Sequence, residues 1–442
     1  MNMAQHDIEF TKNGRIFDDA PVVALLSSLQ AVTDLLVVSH GWNNDRDEAS
    51  ALYRALMESL KDVSEADVVA GLGGRKFGMV RLYWPSKRFV DQDLIPGGGA
   101  ASAIAENDDA LVRMLETMKR SPDRLGGTGT DPVREPNLTR AQELLPRLEA
   151  DPGARREYVL RLRSVLDPSE ADGDDGSQEF FTRDPEELFR EFQTTVVAPA
   201  GSSVSGATSV GQGGAAGFGD FLDGVGAAAR RIANYGTYYE MKHRAGTVGR
   251  SGLALLLHRV RDRRPDLRLH LVGHSFGGRL VTAAANSLPP NTPSVTLTLL
   301  QAAFSHNGLG QGYDEAGHDG AFRSVLSERR ASGPILITHT KNDKAVGVAY
   351  PLASRLARDP ASALGDQNDP YGGMGRNGAQ HTPETSGLDG DLRDVGQPYQ
   401  LQAGKVYNLK ADRFISDHGD VTGPQVAYAI MHAASALPTP GT

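Results

Sequence analysis

The sequence predicts an α/β protein. Its mostly parallel central sheet is flanked by helices and interrupted by a large insertion, mainly helical and partly flexible. Three observations predict this. Apolar runs of buried-strand length alternate with segments whose apolar residues recur at helical spacing, the pattern of helices packed on a parallel sheet. The stretch 267–281 reads as strand, glycine-flanked serine and helix. Between residues 87 and 234 the alternation gives way to helical segments separated by loop tracts.

Taken in order, residues 8–17 suggest two short strands around Asn13-Gly14, a strong hairpin dipeptide. A helix is expected over 21–32. Residues 35–38 (Leu-Leu-Val-Val) then form a continuous apolar run that ends in His40-Gly41-Trp42. Asn44 or Asp45 can cap the next helix, whose apolar face is Ala49, Leu52, Tyr53, Leu56, Met57, Leu60 and Val63. Residues 77–86 give a further strand closed by Trp84-Pro85-Ser86. These elements make residues 1–86 the first part of the core.

Residues 87–234 read as a cap-like or lid-like insertion, with helices expected at 108–119, 139–149, 154–166 and 185–193. The Gly/Ser/Ala tract 198–217 has no periodicity and reads as a linker. Asp172-Gly-Asp-Asp-Gly176 resembles the start of a calcium loop, but the twelfth position is Arg183 rather than Glu, which argues against calcium. The core resumes over 235–436. Tyr235, Tyr238 and Tyr239 are expected to pack, and a helix over 253–260 leads into the strand before the serine.

Gly273-His274-Ser275-Phe276-Gly277 fits G-x-S-x-G between a strand and a helix, the context a nucleophile elbow requires. Small residues at Gly273 and Gly277 remove collisions in so tight a turn. The helix amino terminus behind Ser275 favours developing negative charge. In such a site one oxyanion donor is the amide after the serine, here Phe276. The other comes from the loop after an earlier strand, here Trp42, with Gly41 allowing close backbone approach and His40 supporting the loop. Further strands are expected at 294–301, 334–339 and 405–410, with a loop insertion over 359–400. Asp343 follows the second of these strands, where an orienting acid belongs; Asp417 and Asp420 are alternatives. His418, in a loop before the helix 424–434, is the expected general base. His306 is a rival, whereas His339 and His432 lie inside regular elements and His270 and His274 belong to the elbow.

With the elbow, the His40-Gly41-Trp42 strand exit, the Trp84-Pro85-Ser86 strand end and the order Ser275, Asp343, His418, the chain resembles the α/β-hydrolase superfamily. Within it, the chain looks specifically like the poorly characterised esterase/lipase-like bacterial serine hydrolases. The resemblance covers about 1–86 and 235–436. It implies an α/β-hydrolase fold and a Ser-His-Asp triad that cleaves carboxylic esters through an acyl-enzyme, without metal or organic cofactor. The substrate class it implies is a small-molecule or lipid ester. The alternatives are a catalytically silent binding module, or an acyltransferase or peptidase using the same residues.

Composition limits the partners. A net charge of -9 with scattered basic residues argues against nucleic-acid binding. The absence of cysteine excludes disulfides and thiol chemistry. No apolar run approaches the ~18 residues of a membrane span. No signal peptide is visible, so the expected location is cytoplasmic, with signal-independent export and transient membrane-surface contact left open. Oligomeric state is not specified by the sequence.

Overall fold

Continuous apolar runs need cover on both faces, and a parallel sheet with helices on either side supplies it. A computed structural model of the chain describes residues 3–42, 44–86, 103–193, 224–343, 371–385 and 390–438. Among them lie eight strands in a single sheet. They are β1 (Ala4–Glu9), β2 (Asp34–Ser39), β3 (Phe77–Tyr83), β4 (Arg268–His274), β5 (Val295–Leu300), β6 (Ile335–His339), β7 (Gly390–Asp391) and β8 (Val406–Lys410). The order is β1-β3-β2-β4-β5-β6-β8-β7, and every pairing is parallel. Every residue of β2, β4 and β5 is buried.

The winding reverses between β2 and β4. From β2 the chain moves outward to β3, then returns across β2 to lay down β4, β5, β6 and β8 on the other side. The helix after β2 (Arg46–Glu65) packs on one face of the sheet, and the helix after β4 (Phe276–Ala285) on the other. Such a reversal opens a crevice beyond the carboxyl ends of the two strands, where α/β sheets bind ligands. The register levels the exits. Ser39 pairs with Gly273, His274 with Leu300, Leu300 with Thr338 and Thr338 with Leu409.

The segment between β3 and β4 has a hydrophobic core of its own. It is built from the helices Ala103–Lys119, Arg134–Leu144, Pro152–Arg163, Ser177–Thr182 and Pro185–Gln193, closed by the first half of the long helix Val225–Val248. Pro152–Arg163 is started by Asp151, whose side chain accepts from the amides of Gly153 and Ala154. None of the described helices is long and apolar enough to cross a membrane.

Several expectations are revised in detail. The Asn13-Gly14 turn forms, closed by an isolated Phe10–Ile16 bridge, but the preceding residues are not half of a free hairpin. They are β1, running parallel to β3. Asp45, not Asn44, caps the helix Arg46–Glu65, in a capping box with Glu48. Between the expected helices 154–166 and 185–193 lies a further short helix, Ser177–Thr182. The long helix Val225–Val248 runs unbroken through residue 234 and carries all three tyrosines. The 359–400 stretch, read as loop, contributes β7. The linker 198–217 lies outside the described residues.

Candidate active site

Ser275 sits where β4 turns into the helix Phe276–Ala285. Its φ of 56° and ψ of -127° are a strained backbone state for a residue bearing a side chain. The surrounding backbone holds it there. The Ser275 amide donates to the Leu300 carbonyl at 3.0 Å, and its carbonyl accepts from Gly278 and Ala303 at 2.9 and 3.1 Å. Gly273 and Gly277 face each other across the turn, and a Cβ on either would overlap backbone. Phe276 supplies the first amide of the helix, a position whose N–H has no partner within the helix.

The exit of β2 reaches the same point. A Cβ on Gly41 would stand 2.6 Å from the Ser275 Cβ, so only glycine lets this loop lie against the serine. Trp42 follows, its ring edge-on to Phe276 at 6.0 Å. His40 fixes the loop from behind. It is fully buried and stacks on Trp84 at 5.6 Å. The Trp84 amide donates to His40 Nε2 at 3.3 Å, and the Trp84 indole N–H donates to the His40 carbonyl at 3.1 Å. With Nε2 accepting, Nδ1 carries the proton and donates to the Gly41 carbonyl at 2.9 Å. Burial lowers the His40 pKa to about 4, which keeps this neutral tautomer in place. The two sequence motifs His40-Gly41-Trp42 and Trp84-Pro85-Ser86 are therefore one physical unit.

On the other side, His418 Nδ1 is hydrogen-bonded to Asp343 Oδ2 at 2.9 Å. Asp343 is fully buried, whereas the His418 side chain keeps about a fifth of its exposure. Burial alone would lower the His418 pKa; the Asp343 charge and hydrogen bond, with Asp417 adding, raise it above the ordinary histidine value. His274 Nε2 donates to the His418 carbonyl at 2.7 Å, and the two rings lie 4.8 Å apart. Burial, then the neighbouring His418, pushes the His274 pKa down to about 3, so it serves as a neutral donor.

Asp343 and His418 are thus joined directly, and His274, next in sequence to Ser275, connects His418 to the elbow. No hydrogen bond joins Ser275 to His418 in this structure; catalytic hydrogen bonds often close only around a substrate. The alternative acids are engaged elsewhere. Asp417 accepts from the amides of Gly419 and Asp420, and Asp420 from Ser416. The rival His306 is hydrogen-bonded to Asn377 at 3.2 Å.

Two features escaped the sequence reading. Gln301, just past β5, donates from Nε2 to Asp343 Oδ2 at 3.2 Å; a long polar side chain directly after a fully buried strand was the available signal. Arg279, one turn beyond Ser275, is buried and paired with Asp172 at 3.0 Å and Glu170 at 3.3 Å, tying the elbow helix to the insertion. The oxygens of Asp172, Asp174 and Asp175 lie within 4.8 Å of one another. The ammonium of Lys242 meets Asp172, at 2.9 Å, and Asp175, so the protein itself supplies a cation there. Burial, then Asp172 and Asp175, raises the Asp174 pKa to about 7. No family model, curated protein or solved structure matches the chain.

Proposed function

We propose that the protein is a serine hydrolase of α/β-hydrolase type, cleaving carboxylic esters through an acyl-enzyme. The observation that carries this reading is the buried Asp343–His418 pair, 2.9 Å long, at the sheet edge where Ser275 is held in a strained turn. A paired acid and histidine beside an elbow serine is the geometry of activated-serine chemistry, whatever the surrounding fold. The strand reversal between β2 and β4 and the chain order Ser275, Asp343, His418 support the fold assignment.

In this mechanism Nε2 of His418 takes the proton from Ser275 Oγ as that oxygen attacks the acyl carbonyl carbon. The amides of Trp42 and Phe276 receive the developing oxyanion. His418 then passes the proton to the leaving alcohol. A water, deprotonated by the same imidazole, attacks the acyl-enzyme, and Ser275 recovers its proton as the acid departs. Asp343, bonded to Nδ1, holds the tautomer that leaves Nε2 free to accept and stabilises the imidazolium formed in between.

A fluorophosphonate probe tests the reading directly. Wild type is expected to label, whereas Ser275→Ala and His418→Ala fold normally and do not. With a 4-nitrophenyl ester, Ser275→Ala is expected to lose turnover by ~10⁶. Unchanged turnover in the pure variant would sink the assignment.

A further inference from the structure

The acid of the proposed pair has a second partner, and the way that partner is held indicates a role. Gln301 is wholly buried and occupies the first position past β5, level with the elbow because Leu300 pairs with His274. Its Nε2 lies 3.2 Å from Asp343 Oδ2 and 3.0 Å from the Gly375 carbonyl. Both neighbours are acceptors, which fixes the orientation of the amide: the nitrogen, not the oxygen, faces the carboxylate. The oxygen to which it donates is the one that bonds His418 Nδ1.

Two costs accompany this placement. Gln301 has a φ of 45°, a left-handed backbone state that residues with side chains rarely adopt. Its Oε1 is buried without a hydrogen-bond partner among the described residues. A residue chosen only for packing would avoid the second, since an apolar side chain leaves no acceptor unpaired. Strain and an unpaired carbonyl are tolerated where the opposite end of the amide is needed.

We propose that Gln301 is a positioning residue for the acid–base pair: its amide fixes the rotamer of Asp343 and takes up part of the carboxylate charge that faces His418. The proposal rests on the roles assigned above to Ser275, His418 and Asp343. A neutral donor suits the task. It orients the carboxylate without cancelling its charge, as an arginine would. Three titratable groups face the His418 ring: Asp343 and Asp417 favour its protonated form, whereas His274, from the end of β4, is held neutral by burial and by the neighbouring His418. Without the amide, the charge on Asp343 is less dispersed and attracts the imidazolium more strongly, so His418 titrates at higher pH.

The test uses Gln301→Met in the full chain, a side chain of similar length with no donor. The rate of fluorophosphonate labelling is measured across pH, and the His418 ring protons are titrated by NMR. The expected result is labelling slower by about tenfold or more. The midpoints of the rate profile and of the His418 titration are both expected to move to higher pH. A merely structural role would lower stability and leave both midpoints in place. A folded Gln301→Met protein with wild-type rate and midpoints overturns the proposal. A shifted NMR titration in a protein whose wild type never labels would keep the positioning role and overturn the hydrolase reading, so the two failures are distinguishable. If Gln301→Met does not fold, the wild-type side-chain amide decides. Slow hydrogen exchange, with a chemical shift that follows His418 titration, supports the proposal; exchange like that of an exposed glutamine overturns it.

Discussion

The two ends of the central strands carry the same pair of side chains to opposite effect. At the amino end of β2, Asp34 accepts from His270 Nε2 at 2.9 Å; at the carboxyl edge, Asp343 is bonded to His418 Nδ1 at 2.9 Å. Both carboxylates are fully buried. The difference lies in what else each carboxylate meets. Asp34 receives a two-pronged guanidinium from Arg268, at 2.8 and 2.6 Å, and a second arginine, Arg75, at 3.3 Å. Although burial opposes ionisation, these hydrogen bonds and those of His270 and Thr33 hold the Asp34 carboxyl far below the usual range. Its charge is already matched, and burial leaves His270 with a lowered pKa. Asp343 instead meets the neutral amide of Gln301, and His418 has a raised pKa. The same kind of Asp–His pair thus leaves the imidazole with a raised pKa at one end of the sheet, as the proposed base requires, and with a lowered pKa at the other, where arginines hold the carboxylate.

Substitutions can break this contrast, and the largest effect falls at the carboxyl edge. Asp343→Asn is expected to lower ester turnover by ~10⁴, with little change in thermal stability. The acidic limb of kcat/KM is expected to move to lower pH, because removal of the main charge that raises the His418 pKa leaves the lowering by burial opposed only by Asp417. A limb that moves upward in a pH–rate series would contradict the assignment of charge.

Next in size is the amino end. Asp34→Asn leaves Arg268, itself buried, without its counter-charge and is expected to cost about 3–5 kcal/mol of stability, read by urea denaturation. Labelling of Ser275 per folded molecule should be unchanged; a loss of labelling in folded protein would mean that the two ends are coupled. The loss should also depend on pH. Because the folded-state pKa of Asp34 lies below its unfolded value, its contribution is complete above the ordinary carboxylate range and fades as pH falls below it. The stability gap between wild type and Asp34→Asn should therefore narrow in acid. Smallest is His270→Gln, which removes the imidazole hydrogen bonds to the Asp34 carboxylate and to Thr296 and is expected to cost about 1.5–3 kcal/mol.

The two ends also differ in how far sequence reveals them. The strand–serine–helix stretch, the apolar runs of β2 and β4 and the placement of Asp343 and His418 just past strands were legible, because buried parallel strands are written as apolar runs and exits follow from their ends. The pairing of His40-Gly41-Trp42 with Trp84-Pro85-Ser86 was not, since it depends on β2 and β3 lying side by side. β1 was obscured because Ala4–Glu9 mixes polar and apolar residues, as an edge strand exposed to solvent can. His270 was assigned to the elbow from its place in the chain, yet it belongs to the opposite end of the sheet. Gln301 gives no periodic signal; its meaning arises only when β5 is levelled against β4 and β6.

The separate core of the insertion bears on how the molecule comes apart. The Trp42 ring packs both against the sheet core that holds Phe276 and against the insertion core, and Arg279 anchors the elbow helix to Glu170 and Asp172. A module with its own core can open before the sheet does. Its opening would remove one wall from Trp42 and the counter-ions from Arg279 while β4 stays paired. Labelling of Ser275 should then fail at a lower urea concentration than the loss of sheet signal in circular dichroism. Coincident curves would show that insertion and sheet unfold as one cooperative unit. The insertion would in the first case act as a fuse, silencing the serine before the sheet unfolds and exposes its apolar strands.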